Sequence, residues 1–266
     1  MTSLAKTALT YVATLLFSLN PSRIKHHYVS EKLSPAVEYA PFPFAKAASI
    51  DLGNSADQAV LADYCTKHNI PISCYRSFDF IVPKETDRKK IEEAALGHSP
   101  RLDKIVEEAD IVHFSGHHEV GVPYFFAGSL VDSLYRVNSA IAFKDLKVHE
   151  ETDLVFLTSC FSVNALNDFT RGLIDKFPNA VFFGYRLKSS DLSGNKKMME
   201  GFLGRMAQCC AKEEFARLWI ETGNEVYVEF PRRDFRALWK EGNVVYEVNR
   251  FSPNLEAWDF SAFTQK

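Results

Sequence analysis

Asp110-Ile-Val-His-Phe-Ser-Gly-His-His-Glu119 and Asp153-Leu-Val-Phe-Leu-Thr-Ser-Cys-Phe-Ser162 are the two stretches whose reading decides the fold. Each is a short Val/Ile/Leu/Phe run that stops abruptly in polar, reactive residues. Runs of this length suit strands buried on both faces of a parallel sheet, and ligands collect outside the carboxyl ends of such strands. The pattern therefore predicts that His117 and Cys160 are delivered to one sheet edge. A thiol becomes a strong nucleophile when a neighbouring imidazole takes its proton, which makes the two residues a candidate catalytic dyad. A cysteine ending an apolar run is also a common core residue, so spacing by itself leaves a packing role open.

Outward from these stretches the chain alternates between strand and helix periods. Residues 46–53 read as a first strand, 56–67 as a helix and 72–80 as a second strand; charged helices over 86–95 and 101–109 lead into the histidine strand. After the cysteine strand come a helix over 165–176, a strand over 180–185 and a long amphipathic stretch over 196–220. This alternation predicts an α/β fold, a mostly parallel sheet with helices on both faces. Residues 225–230 and 243–248 alternate like edge strands, and one of them is expected to extend the sheet.

The amino terminus is organised differently. Residues 8–19 are apolar after Lys6, like the core of a secretion signal, yet too short for a membrane span and not followed by a small-x-small cleavage site. Thr7, Thr10, Thr14 and Ser18 recur at helical spacing opposite Leu4, Ala8, Val12, Leu15, Leu16 and Leu19, which favours a packed amphipathic helix stopped by Pro21. Pro21, Pro35, Pro41 and Pro43 mark a connecting segment. The predicted organisation is an extension over 1–44 and one α/β domain over 45–266.

Composition excludes several classes. The chain has 266 residues, 46% hydrophobic and 24% charged, enough for one large core or two modest ones. A net charge of −3 gives no basic footprint for nucleic acid. Five cysteines, an odd number without framework or C-x-x-C spacing, point away from disulfides and zinc and towards a reducing cytoplasm. Cys209 and Cys210 fall inside a helical pattern and read as packing residues.

His113-Phe-Ser-Gly-His117 and Leu154-Val-Phe-Leu-Thr-Ser-Cys160-Phe-Ser162 resemble the two signature segments of CHAT domains, a branch of the caspase-like cysteine peptidases that includes separase, metacaspases and gingipains. Asn179-Ala-Val-Phe-Phe-Gly-Tyr-Arg186 resembles the next core strand of that family, so the likeness spans roughly residues 45–218. The resemblance implies a caspase-like three-layer fold. It also implies peptide-bond hydrolysis through a thioester, with Cys160 as nucleophile, His117 as base and then acid, and no metal or organic cofactor. The backbone N–H groups of Cys160 and residue 118 would form the oxyanion hole. The family has glycine at the latter position and this chain has His118, which keeps the N–H but disfavours positive φ. A rival assignment makes His118 the base and leaves His117 structural. His113, within the strand, reads as a satisfied buried histidine.

By the same resemblance the loop Arg186-Leu-Lys-Ser-Ser-Asp191 would pair with an extended protein substrate. Asp191 would then receive a basic side chain, or Arg186 and Lys188 an acidic one, each being an ordinary solvated charge otherwise. The position two before the nucleophile, acidic in some relatives with basic specificity, is Thr158. Relatives often act as regulated effectors in bacterial defence or cell death, awaiting an activating partner, and use an edge strand for a homodimer. Two other classes compete: an inactive caspase-like module that docks partners through its sheet edge, and an α/β sheet whose strand ends bind a small molecule.

Overall fold

The computed structural model describes residues 25–29, 44–53, 56–76, 87–97, 99–119, 124–129, 136–143, 146, 150–189, 192–209, 211–230 and 232–261. In chain order its elements are β1 Lys25–Val29, β2 Ala47–Asp51, α1 Ala56–Lys67, β3 Ile72–Arg76, α2 Arg88–Leu96, α3 Ser99–Val106, β4 Ile111–Ser115, β5 Tyr124–Ser129 and β6 Arg136–Ala142. There follow β7 Leu154–Leu157, α4 Asp168–Lys176, β8 Val181–Tyr185, α5 Leu192–Leu203, a 3-10 turn at Met206–Gln208, α6 Lys212–Val226, β9 Phe235–Glu241, β10 Val244–Asn249 and β11 Ser252–Asp259.

The short apolar runs lie side by side because each is buried on both faces: β2, β4, β7 and β8 carry no exposed residue. The main sheet has nine strands in the order β1-β11-β10-β9-β8-β7-β4-β2-β3. From β3 to β8 every pair is parallel, and from β8 to β1 every pair is antiparallel. Helices cover both faces, giving the three-layer α/β architecture expected of a caspase-like fold. On one face Phe156 and Phe183 pack with Phe202 of α5 and Trp219 of α6, ring centroids 4.9 to 6.0 Å apart. On the other face Val112, Phe114, Val155, Leu157 and Phe182 meet residues of α3 and α4. The alternation follows from the two-residue strand period. Hairpin β5–β6 forms a small second sheet that packs on α2.

Two expectations need correction. The stretch 196–220 is not one helix: α5 stops at Leu203, a 3-10 turn follows, and Cys209 is extended (φ −91°, ψ 138°) before α6 starts. Gly201 and Gly204 weaken helical continuation, while buried Met206 and Cys209 keep the apolar period running through the break. Cys209 does pack in the core as expected, and Cys210 lies outside the described residues. Residues 225–230 are not a strand either. Glu225 and Val226 end α6 and the Tyr227 N–H donates to Gly223 O, because Tyr227 is drawn down against Phe235. Residues 243–248 do extend the sheet as β10, though in its interior. The turn from β9 to β10 uses Gly242 at φ +58°, a position glycine tolerates best. The predicted helix before Pro21 lies outside the described residues, while β1, from the connecting segment, pairs with β11. Among the described residues no helix is long and apolar enough to cross a membrane.

The opening of β7 carries a pH-sensitive strain. The Asp153 N–H donates to Asp110 O, which brings two acidic residues together where β4 and β7 begin. Burial, then the charge of Asp110, push the Asp153 carboxyl from 3.8 up to about 7, against the pull of Lys212. Folding therefore takes up a proton between these values, and stability falls as pH rises from about 4 to about 7. Asp153→Asn is expected to leave stability unchanged near pH 4. At pH 8 it should stabilise by on the order of 1 kcal/mol, discounted for partial exposure, or a few degrees in Tm. Thermal melts of both proteins at the two pH values check this.

Candidate functional site

β4 and β7 are neighbours in parallel register, Phe114 opposite Leu157, so the chain leaves both strands at the same sheet edge. The Thr158 N–H donates to Phe114 O at 3.0 Å and carries the pairing one residue further. Beyond β4, Gly116 sits where a Cβ would lie 3.1 Å from Leu52 and 3.3 Å from Phe126 O. This close approach lets His117 bridge to β5, its N–H and carbonyl pairing with Phe126 at 2.8 and 3.0 Å. The His117 imidazole is exposed, 5.8 Å from the Phe126 ring.

His118 is placed quite differently. It is 2% exposed, its ring packed at a tilt against Phe169 of α4 at 4.2 Å and Phe125 at 5.3 Å. Its Nδ1 lies 3.3 Å from the Cys160 carbonyl oxygen, which a ring N–H at that position serves as donor. The residue avoids positive φ. Its ring thus touches the backbone of Cys160, and His117 supplies the solvent-facing imidazole.

Cys160 rides on a tight turn. Ser162 Oγ donates to Leu157 O at 2.7 Å and accepts the Tyr185 N–H at 3.2 Å, tying the loop to the ends of β7 and β8. The Phe161 and Val163 N–H groups donate to Leu187 O and Tyr185 O. Phe161 takes φ +53°, a left-handed conformation that costs a bulky residue about 1–2 kcal/mol and is held by these bonds. Gly184 lies directly beneath, where a Cβ would fall 2.5 Å from Val163, 2.6 Å from Ser162 Oγ and 2.8 Å from Leu157 O.

The thiol is half-buried and accepts the Ser189 N–H at 3.3 Å, with Ser189 Oγ at 3.4 Å. Arg233 holds that loop from below, its Nη1 donating to Ser189 O at 2.6 Å and Lys188 O at 3.3 Å. Among the described residues no hydrogen bond joins His117 to Cys160, and the Cys160 N–H has no acceptor. Cys65 is fully buried, and burial pushes its thiol up to about 12.

His113 is satisfied in the core. Nδ1 pairs with Ser49 Oγ at 2.8 Å, and Nε2 with Thr158 Oγ1 at 2.9 Å and Asp57 Oδ2 at 3.2 Å. Gln58 donates to Ser49 Oγ, and Asn195 links the Thr158 carbonyl to the Tyr185 hydroxyl. Thr158 is therefore committed inward and takes no part in a substrate pocket. Of the loop charges read from sequence, Arg186 is exposed and lines a cavity of about 340 Å³ with Asp234, Arg236 and Glu247. Lys188 lines a second cavity of about 450 Å³ with Leu187, Phe230 and Arg233. Asp191 lies outside the described residues.

Sequence reasoning missed Ser189 as a neighbour of the sulfur, Arg233 as its support and the ring of His118 as a clamp on the Cys160 peptide. Ser189 and His118 lay inside stretches already singled out, whereas Arg233 did not. Comparison of the chain with protein-family models, with curated proteins and with solved structures gave no match, so its functional reading rests on this arrangement of strand-end residues.

Proposed function

We propose that the chain is a caspase-like cysteine endopeptidase of the CHAT type, in which Cys160 attacks a peptide carbonyl and His117 moves the proton. The observation that carries this reading is the delivery of a half-exposed thiol and an exposed imidazole to one edge by two adjacent parallel strands. His117 takes the thiol proton as the sulfur–carbon bond forms, then passes it to the amine that leaves as the carbon–nitrogen bond breaks. Water attacks the resulting thioester and frees the acid. The Cys160 N–H faces the developing oxyanion, while His118 holds the Cys160 carbonyl and so steadies the turn that carries the thiol. The substrate is a protein segment in extended form lying along 186–189, where it displaces Ser189 from the sulfur. A free, half-exposed thiol suits a reducing compartment, and we assign the chain to the cytoplasm, as an effector switched on by a protein partner.

The contact between Cys160 and Ser189 favours a second reading, a module that keeps the fold and docks partners without turnover. Mapping of new protein amino termini in cells expressing the wild-type chain or Cys160→Ala separates the two. Termini that depend on Cys160 are the expected result and give the residue preference from aligned cut sites. Identical terminus profiles in the presence of the chain's binding partners would leave the docking module.

A further inference from the structure

The ends of β9, β10 and β11 nearest the Cys160 loop carry an unusual concentration of charge on the face shared with α4. Register places Arg236 opposite Asn249, and Glu247 opposite both Leu238 and Glu256. These are interior positions of a sheet. Asp234, Arg236, Glu247 and Asn249 are each 6% exposed or less, and together they floor the cavity whose rim is formed by Arg186, Leu166 and Phe251. Asn164 and Leu166 come from the segment following Cys160, and the Arg186 N–H donates to Asp234 O, so the cavity opens beside the loops of the candidate site.

The floor is built but incomplete. Arg236 spends its donors on two carboxylates: Nε and Nη2 bind Asp234 Oδ1 and Oδ2 at 2.9 and 3.1 Å, and Nη1 binds Glu247 Oε1. Asn249 donates to Glu256 Oε1 at 2.8 Å and to Glu247 Oε1 at 3.4 Å. Glu247 Oε2 is buried and has no hydrogen-bond partner among the described residues. A buried carboxylate oxygen left unpaired is costly. Among the described residues, Asp234, Glu247 and Glu256 line the cavity with the guanidinium of Arg236, and Arg186 lies on the solvent side.

We propose that this cavity is a binding site for an organic cation with several N–H donors, a guanidinium or ammonium group, which pairs with Glu247 Oε2. The proposal is independent of whether Cys160 turns over a substrate. A cation supplies the donor that the orphaned oxygen lacks, with a charge-assisted bond. Trp258 and Phe251 also line the cavity, aromatic neighbours of the kind that attract a flat guanidinium. A volume of about 340 Å³ fits one basic side chain or a small amine. Burial raises the Glu247 carboxyl above its ordinary range, against the pull of Arg236.

The test is calorimetric titration of the full chain with N-acetylarginine methylamide, its neutral isostere N-acetylcitrulline methylamide, N-acetylglutamate methylamide and spermidine, with Trp258 fluorescence as a second readout. The arginine probe is expected to bind about tenfold tighter than the citrulline one, and less tightly as salt rises. Glu247→Gln should weaken it about tenfold. Arg186→Ala, an exposed change that cannot disturb the floor, should tighten it by removing the competing cation. Binding of spermidine in place of the arginine probe assigns the same site to a free amine rather than a peptide side chain. Equal binding of arginine and citrulline probes, preference for the glutamate probe, or no saturable binding would overturn the proposal and leave a cluster completed by water.

Discussion

Alanine at Cys160 or at His117 is expected to abolish peptide hydrolysis, a loss of about 10³-fold or more for each, because either change removes one partner of a proton transfer that needs both. The double variant should be no worse than either single one. His118→Ala is expected to behave otherwise. Its ring packs against Phe169 and Phe125 and touches the Cys160 carbonyl, so truncation should cost about 2–4 kcal/mol of stability and lower kcat through a displaced Cys160 peptide. His118→Asn keeps a donor near the position of Nδ1 and should restore much of that kcat. Steady-state kinetics on folded protein, paired with thermal melts, distinguish the two histidines. Complete loss at His118→Asn with activity kept in His117→Ala would make His118 the base.

The largest expected effect on folding belongs to Arg236→Met. The side chain is 8% exposed and bound to Asp234 and Glu247, whose side chains are 6% and 1% exposed. Methionine fills much of the space but strands two carboxylates inside the sheet, an error that costs about 3–5 kcal/mol. Urea denaturation should show the midpoint fall by a corresponding amount with an unchanged slope. Adding Asp234→Asn and Glu247→Gln to the same chain should recover a large part of the loss. If Arg236→Met alone were as stable as wild type, the charge cluster would not be held together by Arg236.

How much could be read beforehand divides along local and non-local lines. Helix α1 spans Ala56–Lys67, the limits its period predicts, and β2, β4, β7 and β8 fall within the apolar runs that announced them. Strands β1, β5, β6, β9 and β11 escaped. Glu247 fell in a stretch that alternates like an edge strand and Arg236 and Asn249 carried no signal of their own, yet all three are buried because they satisfy one another across the β9–β10 hairpin. Buried ion pairs conceal the alternation that marks a half-buried strand. At the site, the strand ends named Cys160 and His117, since both depend on a run and where it stops. The roles of Ser189, Arg233 and the His118 ring depend on how three loops meet, for which spacing carries no signal.

Gly184 ties the evolution of the site to that of the sheet. The loop bearing Cys160 rests on its bare backbone, and the nearest obstacles to a side chain there are both that loop and the carbonyl of the neighbouring strand. No substitution at this position can raise or tilt the sulfur without also prising β7 from β8. Heritable adjustment of the thiol's height is therefore closed from beneath, and variation that retunes this edge must come from above, through the segment 186–189 and the residues that brace it.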